Sequence, residues 1–176
     1  MRGASILLTA FVAAAIGIAC SGPAFDSRIG VSEPDRTQFD AVGKLLDHRC
    51  GSLDCHGTPY RNLQIWGCEG MRLDPNDSGL VPKCRSSGGV DTTETEFDAT
   101  FRSLVGLEPQ VMTTVVQGKG AHPELLTFVR KARGDEAHKG GQLWKAGDPQ
   151  DNCVTSWLAG QTDTNACTTG IADPPP

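Results

Sequence analysis

Seven cysteines in 176 residues constrain this chain more than any other feature, since each thiol must end in a disulfide, on a bound group, under a modification, or buried and free. The compartment decides among these. The first twenty residues, MRGASILLTAFVAAAIGIAC, carry one positive charge at Arg2 and then an apolar run broken only by small residues. This is the layout of a secretory signal, too short and wrongly flanked for a membrane-spanning anchor. Residues 1–19 are therefore expected to be a signal peptide, and export permits disulfides.

Ile18-Ala19-Cys20 resembles the bacterial lipoprotein cleavage box, although Gly17 stands where that box usually has leucine. The resemblance implies that Cys20 is lipidated and that membrane contact runs through this anchor alone. Ser21, where retention at the inner membrane usually shows aspartate, implies the outer membrane, with the protein facing the periplasm. The other cysteines divide into a close pair, Cys50 and Cys55, and four more: Cys68, Cys84, Cys153 and Cys167. Four cysteines allow three connectivities. We expect Cys68 with Cys84 across a glycine-rich loop and Cys153 with Cys167 at the tail, while a third bridge, Cys50 with Cys55, stays open. The formal net charge is −5 and no basic residues cluster, which argues against a nucleic-acid partner.

The length suits one domain with tails. Residues 20–34 lack apolar periodicity and read as a flexible tether. Phe39, Val42, Leu45 and Leu46 then share one helical face, with Lys44, His48 and Arg49 late in the helix, as its dipole prefers. That helix ends at Cys50. From about 57 to 91 the chain is rich in Gly, Pro, Asn, Asp and Ser and reads as a long irregular loop. Thr93-x-x-Glu96 is a capping box ahead of Phe97, Phe101, Leu104 and Val105, with Gly106 as the stop. A short helix is expected over 109–117 and an apolar segment over 125–129. Asp148, Pro149, Val154, Trp157 and Leu158 mark a last helix that Gly160 ends. The remainder, 161–176, is a polar tail. The fold class is mainly α, one small helical domain over 35–160 with a disulfide-stapled loop.

The chemistry concentrates in CGSLDCHG, where Cys50 and Cys55 flank four residues and His56 follows directly. Two thiols can bond the vinyl groups of a haem while the adjacent imidazole takes the iron. The usual spelling is C-x-x-C-H, and this spacer is two residues longer. The pair can equally close a small disulfide loop. His48, Cys50, Cys55 and His56 have the ligand types of a zinc site, but adjacent Cys55 and His56 are awkward in a tetrahedron. A cysteine nucleophile would need a partner constellation, and none is visible. Arg61 and Arg72 near the motif read as surface residues, with neutralising a haem propionate as the alternative, His122 as a helix-start or loop residue and His48 as a solvated helix end. Trp144 has no assigned role.

Gly43-x-x-Leu46-x-x-x-Cys50 followed by Cys55-His56-Gly57 resembles the amino-terminal helix and haem motif of class I cytochromes c. LLDHRCGSLDCHG, LEPQVM, RKARGDEAHKGG and SWLAG, in that order, resemble the cytochrome-c-like domains of planctomycete and myxobacterial exported proteins, which carry an H-x-G-G element before a final W-[IL]-x-x-G helix. The resemblance covers roughly 38–160. It implies one haem c, with Cys50 and Cys55 as thioethers, His56 as the proximal iron ligand and His138 as the distal one, Met112 being the alternative. It also implies that Gly43 lets a carboxy-terminal helix cross closely. The implied function is electron transfer to redox partner proteins, not enzymatic turnover, since two protein ligands leave no site free on iron. The alternative is a haem-free, disulfide-stapled envelope lipoprotein acting as a binding or structural module.

Overall fold

The computed structural model describes residues 30–74 and 91–173. The chain divides into two units, Met1–Gly30 and Val31–Pro176, and everything below concerns the second. The signal and lipidation readings, Cys20 included, lie outside the described residues, as does Cys84. Among the described residues six α-helices carry the fold: α1 (Asp40–Cys50), α2 (Glu94–Val105), α3 (Pro109–Gln117), α4 (Thr127–Arg133), α5 (Pro149–Leu158) and α6 (Thr164–Ala172). Among the described residues no strand forms beyond an isolated bridge between Trp66 and Met71. The protein is mainly α.

Helix starts follow local chemistry. Thr93 and Glu96 form the expected capping box, each side chain meeting the other's backbone N–H, so two orphan donors of α2 are satisfied at once. Asp148 precedes α5 as expected, but its carboxylate accepts from the Lys145 N–H at 2.7 Å and makes no side-chain cap bond to the helix. The cap of α4 comes from a distant residue. Glu108 accepts from the Thr127 N–H at 2.7 Å and from its hydroxyl at 2.9 Å, which places α4 against the start of α3.

The core forms where α1, α2 and α5 meet. Phe39 packs edge-on to Phe101 at 5.4 Å and tilted against Trp157 at 5.1 Å. The Trp157 indole N–H donates to the Asp35 carbonyl at 3.1 Å, so the ring is both packed and satisfied. Gly43 serves a different neighbour from the one the resemblance implied. A Cβ there would come within 2.6 Å of the Phe97 ring of α2.

The stretch after Gly160 is polar, yet 164–172 forms a docked helix. The Cys153–Cys167 disulfide joins α5 to α6 with Cα atoms 4.7 Å apart. Arg49 of α1 caps the far end, donating to the carbonyls of Gly170 at 2.7 Å and Asp173 at 2.8 Å. A cationic cap on the last carbonyls of a helix supplies what its apolar content does not. Cys68 is disulfide-bonded, and its expected partner Cys84 lies outside the described residues.

Arg72 is not a surface residue. Its guanidinium lies against Glu96 at 2.7 and 3.0 Å, with the two side chains 8% and 1% exposed. Burial alone would raise the Glu96 pKa, but hydrogen bonds from Arg72, the Thr93 N–H and the Leu73 N–H outweigh it, and the net direction is down from 4.5. A depressed folded value means that the ionised pair stabilises the fold fully above 4.5 and ceases to do so as pH falls through the lower folded pKa. Arg72→Ala is expected to cost about 3–5 kcal/mol at neutral pH by urea denaturation, because it strands a buried carboxylate. Glu96→Gln should flatten the loss of stability below pH 4.5. A cost under about 1 kcal/mol, the range of exposed pairs, would contradict this account.

Candidate functional site

Cys50 is the last residue of α1, and the chain reverses there. The His56 N–H donates to the Cys50 carbonyl, and the N–H groups of Cys55 and Gly57 donate to the Ser52 carbonyl, each at 2.9 Å. This reversal packs backbone on backbone. A Cβ on Gly57 or on Gly70 would overlap the Gly51 carbonyl oxygen, and one on Gly67 would overlap the Asp47 carboxylate. Only glycine allows such approach.

Asp47, 3% exposed, organises the turn from one helical turn before Cys50. It accepts from the N–H groups of Cys68 at 3.1 Å and Glu69 at 3.3 Å, and from the Thr92 hydroxyl at 2.7 Å. Burial nonetheless pushes its pKa up. The segment 64–66 is then laid along α2, with the Gln64 N–H on the Ser103 hydroxyl at 2.8 Å and the Trp66 N–H on the Thr100 hydroxyl at 3.0 Å. The stretch from Cys50 to Met71 is thus fixed by tertiary bonds despite its loop-like composition.

His56 is half-buried on this turn. Its Nδ1 lies 3.0 Å from the Leu63 carbonyl. A carbonyl can only accept, so Nδ1 carries the proton and Nε2 keeps its lone pair. Burial pushes the His56 pKa down, which favours the neutral, ligating form. His138 sits on the loop between α4 and α5, and its Nδ1 lies 3.3 Å from the Gly141 carbonyl. The same argument puts a proton on its Nδ1. That loop is held at both ends: Leu143 and Trp144 donate N–H groups to the Ala132 carbonyl at 2.9 and 3.2 Å, and Arg133 grips Asp151 of α5 at 2.8 and 2.9 Å.

The two imidazoles stand at one cleft, their ring centres 6.0 Å apart and planes 20° apart. The cleft holds about 430 Å³, a size within the range of cofactor sites. Leu46, Cys50 and Leu63 line it on the side of the motif, and Phe128, Lys131, Leu143 and Trp144 on the side of α4 and the following loop. Arg61 and Tyr60 also line it; Tyr60 is 90% exposed, and Arg61 donates to the Cys55 carbonyl at 3.2 Å.

The remaining sequence candidates lie elsewhere. Met112 is buried in the core and is not part of the cleft wall. His122 is exposed and lies 3.1 Å from Glu124. His48 lies 3.5 Å from the buried Glu69 carboxylate, a more sheltered place than a solvated helix end. Among the described residues no three His, Cys, Asp or Glu side chains converge as a metal site, so the zinc reading lacks its tetrahedral donor set. Sequence reasoning gave Trp144 no role, yet it is 4% exposed in the cleft wall. A single tryptophan in a loop has no periodicity to reveal its direction.

No family model matches this chain, and neither the curated proteins nor the solved structures contain a significant match.

The two motif thiols are free and differ in environment. Cys50 is 8% exposed, and burial, then the neighbouring Cys55, push its thiol up to about 12, with Arg49 opposing. Cys55 is half-buried and absent from the cleft wall. Since the thiolate is the reactive form, iodoacetamide at pH ~8 should label Cys55 at least about tenfold faster than Cys50 in the folded, haem-free chain. Peptide mass mapping reads the two rates. Equal labelling, or joint protection as a linked pair, would contradict the geometry.

Proposed function

We propose that this chain is an exported c-type cytochrome domain that carries one haem and transfers electrons. The observation that carries the reading is the His56–His138 pair. When both Nε2 atoms face one ion, two metal–imidazole bonds of about 2 Å, with roughly 1 Å from each nitrogen to its ring centre, span about 6 Å, and the ring centres lie 6.0 Å apart. Both Nδ1 atoms face backbone carbonyls, the usual way of orienting a metal-bound histidine. Three of the four groups a haem c would need, Cys50, His56 and His138, line the apolar cleft, and the free thiol of Cys55 lies on the same turn just outside its wall.

When bound, the haem supplies reversible one-electron chemistry. Cys50 and Cys55 would hold it as thioethers, and His56 and His138 would be its iron ligands. Leu46, Leu63, Phe128 and Leu143 keep water from the ring. Ligation by two histidines favours a lower potential than histidine with methionine, and with both iron faces taken by protein the role is electron carriage, not catalysis. The acidic net charge favours redox partners with basic patches through brief, salt-sensitive encounters. Residues 1–19 direct export, and lipid on Cys20 tethers the domain at the outer membrane on the periplasmic side.

A cytochrome c-like fold is supported by the helix that delivers the motif and by the His138 loop ahead of the Trp157 helix. Two features depart from that pattern: α6 follows the tryptophan helix, and Gly43 meets Phe97. The rival reading, a haem-free stapled module, sits less well with free Cys50 and Cys55. Full-length protein from a bacterium with haem-attachment machinery should gain the mass of one haem that survives acid-acetone extraction. The gain should vanish in the Cys50→Ala/Cys55→Ala double variant. Wild-type protein without haem would overturn the proposal.

A further inference from the structure

The wall of the cleft holds one acidic side chain among the described residues, that of Glu108. Glu108 directly precedes α3, yet it gives that helix no side-chain cap bond. It reaches instead to Thr127 at the start of α4, which also lines the cleft, and accepts from the backbone N–H at 2.7 Å and from the hydroxyl at 2.9 Å. A third bond fixes the direction of the second. Arg130 donates to the Thr127 hydroxyl oxygen at 2.9 Å, so the hydroxyl proton is turned toward Glu108. Each carboxyl oxygen of Glu108 therefore accepts, as an ionised carboxylate does. Both of these donors are uncharged. The cations of α4 are turned to another anion, with Arg130 and Lys131 on Glu136 at 3.1 and 2.9 Å.

We infer that Glu108 sets the redox balance of the cleft, its negative charge favouring oxidised over reduced iron. This inference rests on the haem reading of the site. On reduction one electron enters from a partner protein, no bond forms or breaks, and the charge inside the cleft falls by one. A fixed anion at the wall opposes that fall. The effect acts through space, so the carboxylate needs neither to touch the ring nor to point at it. At an effective dielectric of about 20, a unit charge within roughly 10 Å is worth at least about tenfold in such an equilibrium, which for one electron is about 59 mV. The apolar side chains of Leu46, Leu63, Phe128 and Leu143 on the same cleft limit screening by water. Glu108 thereby works in the same direction as ligation by two histidines.

The test uses full-length, haem-loaded protein and two variants. Glu108→Gln keeps an acceptor for the Thr127 N–H and removes the charge, whereas Glu108→Asp keeps the charge. Potentiometric titration followed at the Soret band should show the redox equilibrium of Glu108→Gln shifted at least about tenfold toward reduction, a rise of about 59 mV over the wild type. Glu108→Asp should show less than half of that rise. A Glu108→Gln potential equal to the wild type, or an equal rise in both variants, the mark of a purely structural cap, would overturn this inference and leave the haem reading standing. Absence of a Soret band from the wild type would overturn both. Should Glu108→Gln fail to fold, the oxidised-minus-reduced infrared spectra of the wild type and Glu108→Asp decide alone. A carboxylate band present in the first and displaced in the second is expected, and identical spectra would overturn the inference.

Discussion

A carboxylate at the wrong end of a helix holds this site together. Asp47 lies in the last turn of α1, where the helix dipole disfavours negative charge, and it is buried besides. It is tolerated there because it answers the N–H groups of Cys68 and Glu69 and the Thr92 hydroxyl. Those bonds pull the loop onto the end of α1 so tightly that Gly51, Gly57, Gly67 and Gly70 have no room for a side chain. The Cys50–His56 turn inherits its rigidity from this contact. Rigidity is what a site needs if two thiols and an imidazole are to meet a planar ligand together.

The opposite wall is built by different means. Glu108 caps α4, Arg133 joins its end to Asp151 of α5, and the Ala132 carbonyl ties down the loop that carries His138. The two imidazoles therefore come from separately braced elements, and each is oriented by a carbonyl of its own segment. That independence is why their 6.0 Å spacing is informative. The two rings also meet directly, as a nearly parallel stacked pair.

Much of the helical frame was legible in the sequence because its signals are local. The α1 apolar stripe, the Thr93–Glu96 capping box and the Asp148-Pro149 start need only neighbouring residues, and each marks an observed helix. Where the deciding partner lies far along the chain, the reading failed. Arg72 looked like a surface residue because Glu96 is 24 positions away. The helix over 164–172 was hidden in polar letters because a disulfide and Arg49 secure it. The glycines after Cys50 suggested slack, and they are the tightest packing in the site. Pairing of Cys153 with Cys167 was the one favoured among three connectivities that cysteine arithmetic left open, while the place of Trp144 in the cleft wall left no trace in the sequence.

The central claim is that His56 and His138 share one iron. Carbon monoxide binding to the reduced, haem-loaded protein tests it most directly, since the gas binds only where a coordination position is open. The account predicts a low-spin, six-coordinate wild type whose spectrum does not change on mixing with carbon monoxide, and a His138→Ala variant that binds the gas. Ready binding by the wild type, or a His138→Ala spectrum identical to it, would contradict the account.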